Sequence, residues 1–294
     1  MKSGFVGIVG RPNVGKSTLL NAILGEKIAI TTDKPQTTRN AIRGLYTNYD
    51  EDVQMVFIDT PGIHKPRNKL GEFMTDSAIN TFGEVDAIIF IVDDRLSKGP
   101  GDKYIVDMLK NVDTPKILVI NKIDKMNPDE FAEIYKEYEE LDMFQRILGA
   151  SAIDGTHVDE VVEAAISFME EGPMFFPDDI VTEHPARFIV SEIIREKVLL
   201  YLQDEVPHGV AVEIEQYLED DNITRISAVI YCEKKSHKGM IIGKGGRKLK
   251  GIGKSAREEI EALLGTRVFL ETWVKVKENW RDSDIALTNF GYRD

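Results

Sequence analysis

The 294-residue sequence predicts an α/β domain on a doubly wound, mostly parallel sheet, followed by a smaller α+β domain. Three observations predict it. Over the first part of the chain, near-continuous Ile/Val/Leu runs alternate with amphipathic stretches, as expected of parallel strands covered on both faces. The stretch EGPMFFPDDIVTEHPARF then interrupts the pattern with Pro173, Pro177 and Pro185, through which regular helix cannot run. Beyond it the order of elements changes, and strands with period-two alternation appear.

The strand candidates of the first domain are GFVGIVG (4–10), VQMVFID (53–59), DAIIFIVD (86–93), KILVINK (116–122) and RILGAS (146–151). Between them lie helix candidates at Lys16–Leu24, Lys69–Phe82, Asp102–Lys110, Pro128–Leu141 and His157–Met169. In such a sheet, ligands sit at the C-terminal ends of the strands. Residues 173–186 read as a linker. The second domain opens with a helix, Ile189–Leu202, followed by two alternating strands, GVAVEIEQYLE and ITRISAVIYCEK. A glycine-rich helical pair, Gly239–Leu264, and a strand, RVFLETWVKV, complete it. The expected organisation is therefore a first domain over 1–172, the linker, and a second domain with its tail over 187–294.

Composition narrows the function classes. Hydrophobic residues at 42% and charged residues at 30% describe an ordinary soluble chain with room for two cores. No apolar run approaches ~18 residues, so no membrane-spanning helix is expected. The N-terminus enters a strand-like run without the pattern of a signal peptide. Cys232 is the single cysteine, which rules out an intrachain disulfide and suits a reducing cytoplasm. The five histidines fall at no zinc-ligand spacing. A net charge of −13 argues against a chain that coats itself in nucleic acid, but the average conceals a split. Residues 181–294 hold 18 Lys/Arg and 19 Asp/Glu, so the negative charge belongs almost wholly to residues 1–180. Between Lys234 and Arg257 lie nine basic residues and no acidic one.

GRPNVGKST, comprising Gly10, Arg11, Pro12, Asn13, Val14, Gly15, Lys16, Ser17 and Thr18, matches G-x-x-x-x-G-K-[ST] between an apolar strand and an amphipathic helix. This is a P-loop. Its glycines let backbone amides wrap a phosphate, and the helix N-terminus adds positive potential. Lys16 is expected to bridge β- and γ-phosphate oxygens, and Ser17 to hold Mg²⁺. The run DTPGI, Asp59, Thr60, Pro61, Gly62 and Ile63, ends another strand with a carboxylate for a metal and a bare amide for a phosphate oxygen. NKID, Asn121, Lys122, Ile123 and Asp124, selects the base. The Asp124 carboxylate can accept from N1–H and N2–H₂ of guanine, whereas adenine offers no donor at either position. A site left unpaired in this way rejects the wrong base by ~10⁴-fold or more. Asn121 supports the base edge or the neighbouring loop, the stem of Lys122 lies along the purine face, and Ser151-Ala152 offers an amide to O6.

With these motifs in order, the chain resembles the translation-factor-like GTPases, which implies a G domain binding GTP or GDP. By that resemblance Thr31–Arg43 is the first switch segment, from which Thr38, aligned ahead of Thr37, ligates Mg²⁺. Asp59 then holds the ion through water, and the Gly62 amide senses the γ-phosphate. Ras-like enzymes place a glutamine just after that glycine, and Ile63 has neither donor nor acceptor. Either the protein binds GTP without hydrolysing it, or Lys16, the Gly62 amide and Mg²⁺ support slow turnover, on the order of 10⁻⁴ to 10⁻² s⁻¹. The subfamily with a hydrophobic residue at this place adds a catalytic K⁺ held by an asparagine of the cradle, a position that Asn13 matches.

The stretch KGMIIGKGGRKLKGIGKSAREEIEALLG resembles the G-x-x-G loop of a KH domain, in which two helices meet so that bare backbone clamps a nucleic-acid strand. Ile242, Gly243, Lys244, Gly245, Gly246, Arg247, Lys248 and Lys250 are the expected RNA contacts. The order α-β-β-α-α-β is that of a type II KH domain. Acidic residues elsewhere in the domain (Glu213, Glu215, Glu219, Asp220, Asp221) confine RNA to one side.

One G domain, a linker and one C-terminal type II KH domain is the layout of the Era family of bacterial GTPases, and the resemblance covers essentially the whole chain. It implies GTP hydrolysis and binding to the 3′ end of 16S rRNA by a monomer. It also implies a role in small-subunit (30S) assembly, with peripheral attachment to the inner membrane. Two other readings stay open: an RNA-binding scaffold holding GTP structurally, and a metabolic GTPase or kinase.

Overall fold

Strand β1 (Lys2–Gly10) carries the apolar run Val6, Ile8 and Val9, and the other strands of the first sheet are arranged about it. In the computed structural model, which describes residues 1–93, 99–177, 180–202, 206–220 and 222–293, the chain divides into two units. Met1–Thr31, Thr38–Arg67 and Gly71–Glu183 form one; Thr32–Thr37, Asn68–Leu70 and His184–Asp294 form the other.

The first unit is the expected doubly wound sheet. After β1 come α1 (Lys16–Leu24), β2 (Ile42–Asn48), β3 (Val53–Asp59), α2 (Lys69–Asn80), β4 (Ala87–Val92) and α3 (Pro100–Leu109). Next are β5 (Lys116–Asn121), α4 (Pro128–Glu139), β6 (Arg146–Ala150), α5 (Val158–Ile166) and the two-residue β7 (Glu170–Glu171). The strand order is β2-β3-β1-β4-β5-β6, with β7 antiparallel to β1. From β3 to β6 neighbouring strands are parallel. Strands β3, β4 and β5 are buried along their whole length, which is why they read as unbroken apolar runs. The chain leaves β1 to one side and returns to the other, so the order reverses at β1. The crevice at its C-terminal end is where such sheets take ligands. Local signals set the helix starts: Asn127 and Glu130 form a reciprocal capping box on α4, and Pro100 opens α3.

Two features differ from expectation. Strand β2 pairs antiparallel with β3 at the sheet edge; its sequence, IRGLYTN, lacks an Ile/Val run because an edge strand need not be apolar on both faces. The expected linker is packed as far as Glu183. Gln54 Oε1 accepts the amides of Phe175 and Phe176 at 2.7 and 3.1 Å, Leu45 N–H donates to Val181 O at 2.8 Å, and Thr182 Oγ1 donates to Arg43 O at 2.6 Å. The segment thus fills the open backbone edge of β2, which a free connector would leave exposed. Asp178 and Asp179, part of that linker, and Asp221, in the acidic set, lie outside the described residues.

The second unit follows the expected order: α6 (Ala186–Tyr201), β8 (Ala211–Asp220), β9 (Ile223–Cys232), α7 (Lys235–Ile242), α8 (Arg247–Leu264) and β10 (Arg267–Val276). Its sheet runs β10-β9-β8, parallel between β10 and β9 and antiparallel between β9 and β8, with a bulge between Ile214 and Gln216. One face of β9 (Thr224, Ile226, Ala228, Ile230, Cys232) is buried, as are Ile193 and Ile194 of α6 and Ile252, Ala256 and Ile260 of α8. A short helix, α9 (Asp284–Asn289), occupies what the sequence offers only as a tail. Trp280 anchors it: the ring is fully buried, Nε1 donates to Gly209 O at 2.9 Å, and Phe290 meets it edge-on at 5.2 Å. Among the described residues no helix is long and apolar enough to cross a membrane.

Candidate functional site

The cradle follows β1 directly. Gly15 sits at φ +103°, and a Cβ there would lie 2.2 Å from Asn121 Nδ2, so only glycine fits. Asn121 explains the closeness. Its Nδ2 donates to Val14 O at 2.8 Å, and its Oδ1 accepts the Ala152 amide at 3.0 Å. One side chain at the end of β5 therefore ties the cradle to the loop after β6. Lys122, itself at φ +66°, donates from Nζ to Asn13 O at 2.9 Å. Asp124 is exposed, with Oδ1 accepting from Ser151 Oγ at 2.8 Å. Three segments more than a hundred residues apart at their extremes thus meet around one crevice.

Lys16 opens α1 with its ammonium buried, donating to Arg11 O at 2.9 Å. Burial pushes its pKa down to about 8, against the pull of Asp59. The Asp59 carboxylate is fully buried; burial pushes it up to about 6, while Lys16, Ser17 and Thr38 work the other way. Ser17 Oγ lies 2.6 Å from Asp59 Oδ2 and 2.8 Å from Thr38 Oγ1, and Thr38 Oγ1 lies 3.4 Å from Asp59 Oδ2. Asp59 Oδ1 is buried without a hydrogen-bond partner. Converging hard oxygens beside an unsatisfied carboxylate oxygen fit Mg²⁺, directly or through its waters. Thr37 turns elsewhere: its hydroxyl donates to Lys34 O at 2.7 Å and lies 2.6 Å from Thr32 Oγ1.

The DTPGI run divides by face. Thr60 Oγ1 donates to Ile8 O at 2.8 Å, so this hydroxyl is spent on β1. A Cβ on Gly62 would fall within 2.7–2.8 Å of Pro12 atoms, so bare backbone lies against the cradle. The Ile63 amide donates to Gly10 O at 3.1 Å, but its side chain is fully buried in the core cluster with Val9, Ile58, Ala78, Phe82 and Phe90. The residue at this place is a core residue whose side chain does not face the cradle. Asp93 and Asp102 escaped sequence reasoning altogether. Both carboxylates meet Arg11, and nothing in their spacing connects them to a loop more than eighty positions earlier.

In the second unit, Gly243, Gly245 and Gly246 all have positive φ (71°, 62° and 74°). A Cβ on Gly243 would lie 2.7 Å from Lys248 Cβ, whereas Gly245 and Gly246 have nothing within 4 Å of that position. The tip is bare backbone in open space between α7 and α8. Lys244, Arg247 and Lys250 are exposed around it, Lys248 and Ile242 are half-buried, and Glu258 and Glu261 lie farther along α8. This can hold a phosphodiester strand without side-chain obstruction.

Both domains have relatives among known proteins. A family described as 50S ribosome-binding GTPase matches residues 5–122, and the KH domain family matches residues 205–281. GTPase Era of Alkaliphilus oremlandii (strain OhILAs) is 58% identical over 99% of both chains. GTPase Era of Clostridioides difficile (strain 630) is 57% identical over 100% of this chain and 99% of its own. A solved structure of Era in complex with MgGDPNP and nucleotides 1506–1542 of 16S ribosomal RNA superposes with a TM-score of 0.96, at 39% identity over 100% of both chains. A variant of Aquifex aeolicus Era bound to GDP·AlF₄⁻ superposes at 0.92, with the same identity and coverage. Matches to both domain families and full-length identity above one half lead to one conclusion: the chain belongs to the Era family of GTPases.

Proposed function

We propose that the chain is a slow GTP-hydrolysing switch that binds the 3′ end of 16S rRNA through its KH domain and acts in assembly of the 30S subunit in the cytoplasm. The observation that carries this reading is the full-length likeness to Era bound to MgGDPNP and 16S nucleotides. The contacts of individual residues support a role for each. Asp124 accepts from the two donors of the guanine edge, exchanging its bond to Ser151 for them. Lys16 leaves the Arg11 carbonyl for the β- and γ-phosphates. Ser17, Thr38 and Asp59 would hold Mg²⁺, which when bound would supply positive charge against the phosphates.

Hydrolysis needs no side chain at Ile63. Phosphoryl transfer depends mainly on positioning and charge, which Lys16 and the Gly62 amide supply. Asn13, an exposed residue of the cradle, would hold a K⁺ that adds positive charge there. Phosphate release should be faster in K⁺ than in Na⁺, and Asn13→Ala should abolish the difference; equal rates in the wild type would remove the K⁺ role.

GTP orders the two switch segments, and hydrolysis lets them relax, so that RNA is held for a set time. The decisive experiment is binding of an oligonucleotide copying the 16S 3′ end to protein loaded with a non-hydrolysable GTP analogue or with GDP. Tighter binding with the analogue is expected; equal affinity in both states would leave a scaffold instead of a switch.

A further inference from the structure

Arg11, the second residue of the cradle, reaches away from the nucleotide crevice into a carboxylate pair. Its Nε donates to Asp102 Oδ1 at 2.6 Å and its Nη2 to Asp93 Oδ1 at 2.7 Å. Its stem fits there because Gly101 is bare: a Cβ would lie 2.6 Å from Arg11 Cδ. Both carboxylates are about 3% exposed, too dry to be ordinary surface ion-pair partners. Burial opposes the Arg11 charge, and Asp102 and Asp93 together more than restore it, raising its pKa. The second oxygen of Asp93 does something different. Asp93 Oδ2 lies 3.2 Å from Lys122 Nζ, the ammonium that also donates to Asn13 O.

Asp93, just beyond the end of β4, is therefore a carboxylate shared by the cradle and the base-reading loop. A single cation could serve local stability. A carboxylate divided between two cations from different nucleotide-binding segments couples their positions. Moving Lys122 off Asp93 frees its stem to swing, and moving Arg11 displaces the carbonyl that holds Lys16.

We propose that Asp93 is a positioning residue for guanine nucleotide, holding Lys122 along the purine face and the Arg11–Asn13 arc of the cradle in register with it. This rests on Lys122 being the purine-facing residue. The geometry separates the two carboxylates. Asp102 meets Arg11, whereas Asp93 meets both Arg11 and Lys122, so removing Asp102 should disturb nucleotide less.

The test is release of a fluorescent GDP from the full-length protein by stopped flow, with thermal unfolding of the nucleotide-free protein alongside. Loss of a charge-assisted hydrogen bond at this site should speed release by about tenfold in Asp93→Asn. Asp102→Asn should speed it less, and the unfolding temperatures of the two variants should fall similarly. A double-mutant cycle supplies the readout that a merely structural role would not move: the Asp93→Asn effect should vanish in a Lys122→Met background. Release unchanged in Lys122→Met would overturn the proposal at its base, the purine-facing lysine. Faster release there with an unchanged rate in Asp93→Asn, or fully additive effects in the cycle, would overturn the Asp93 step alone. Should Asp93→Asn fail to fold, Arg11→Met/Asp93→Asn removes one buried charge of each sign and must still release GDP faster than Arg11→Met; equal rates would overturn it.

Discussion

The two glycine loops of this protein both present bare backbone, and they do so in opposite ways. The cradle is enclosed. Gly15 touches Asn121, Gly62 touches Pro12, and each loop is tied by hydrogen bonds to the next. The KH loop is open, with nothing within 4 Å of a Cβ on Gly245 or Gly246 and with Lys244, Arg247 and Lys250 exposed. A small triphosphate is bound by a site built before it arrives, so that little ordering remains to oppose binding. A long flexible strand needs a grip that it can enter from the side, and charge at the rim supplies much of the attraction. The first loop spends neighbours on rigidity; the second keeps them away.

Substituting the enclosed loop should have the largest effect. Gly15→Ala puts a methyl group onto Asn121 at a backbone angle alanine tolerates poorly, and GTP affinity by calorimetry should fall about a thousandfold. Next comes the base edge: Asp124→Ala removes the acceptor of both guanine donors, and the preference for GTP over ATP should shrink by about a hundredfold. The open loop should give less. Gly245→Asp brings a carboxylate to the clamp, weakening 16S oligonucleotide binding by about tenfold while GTP affinity stays within about twofold. If that substitution also impaired GTP binding, the two loops would not be independent grips.

The smallest effect concerns pH. The Asp59 pKa is raised to about 6, so the nucleotide-free protein takes up a proton there more readily than an unfolded chain does. Mg²⁺ requires the ionised carboxylate. Below pH 6 binding must therefore expel that proton, and Mg²⁺-dependent GTP affinity should fall by up to about tenfold per pH unit. Above pH 6 this contribution should be flat. A titration of Mg²⁺-GTP affinity between pH 5 and 8 checks the sign, and Asp59→Asn should lessen the fall below pH 6.

Much of the molecule was legible in sequence because the chemistry is local. Gly10–Thr18 is contiguous, strand and helix flank it, and the periodicity of the core strands announces their burial. VQMVFID and RVFLETWVKV form strands with the expected bounds, and α1 spans Lys16–Leu24 as expected. What was missed is non-local or conformational. Strand β2 has no apolar run because it pairs on one edge. The prolines before Pro185 read as linker, yet extended backbone is well suited to cover that edge. Helix α9 depends on Trp280 finding Gly209 O, a partner about seventy residues earlier.

The sequence by itself determined the ligand class, since phosphate cradle, guanine acceptor and basic glycine loop are each written in consecutive residues whose chemistry needs no distant partner. Only the tertiary structure decided that Ile63 is core, that the Thr38 hydroxyl and not that of Thr37 faces Ser17 and Asp59, and that Asp93 joins Arg11 to Lys122. The physical reason is the parallel sheet. It brings the ends of strands far apart in the chain to one edge, and a carboxylate acquires its role from the cations that this edge gathers around it.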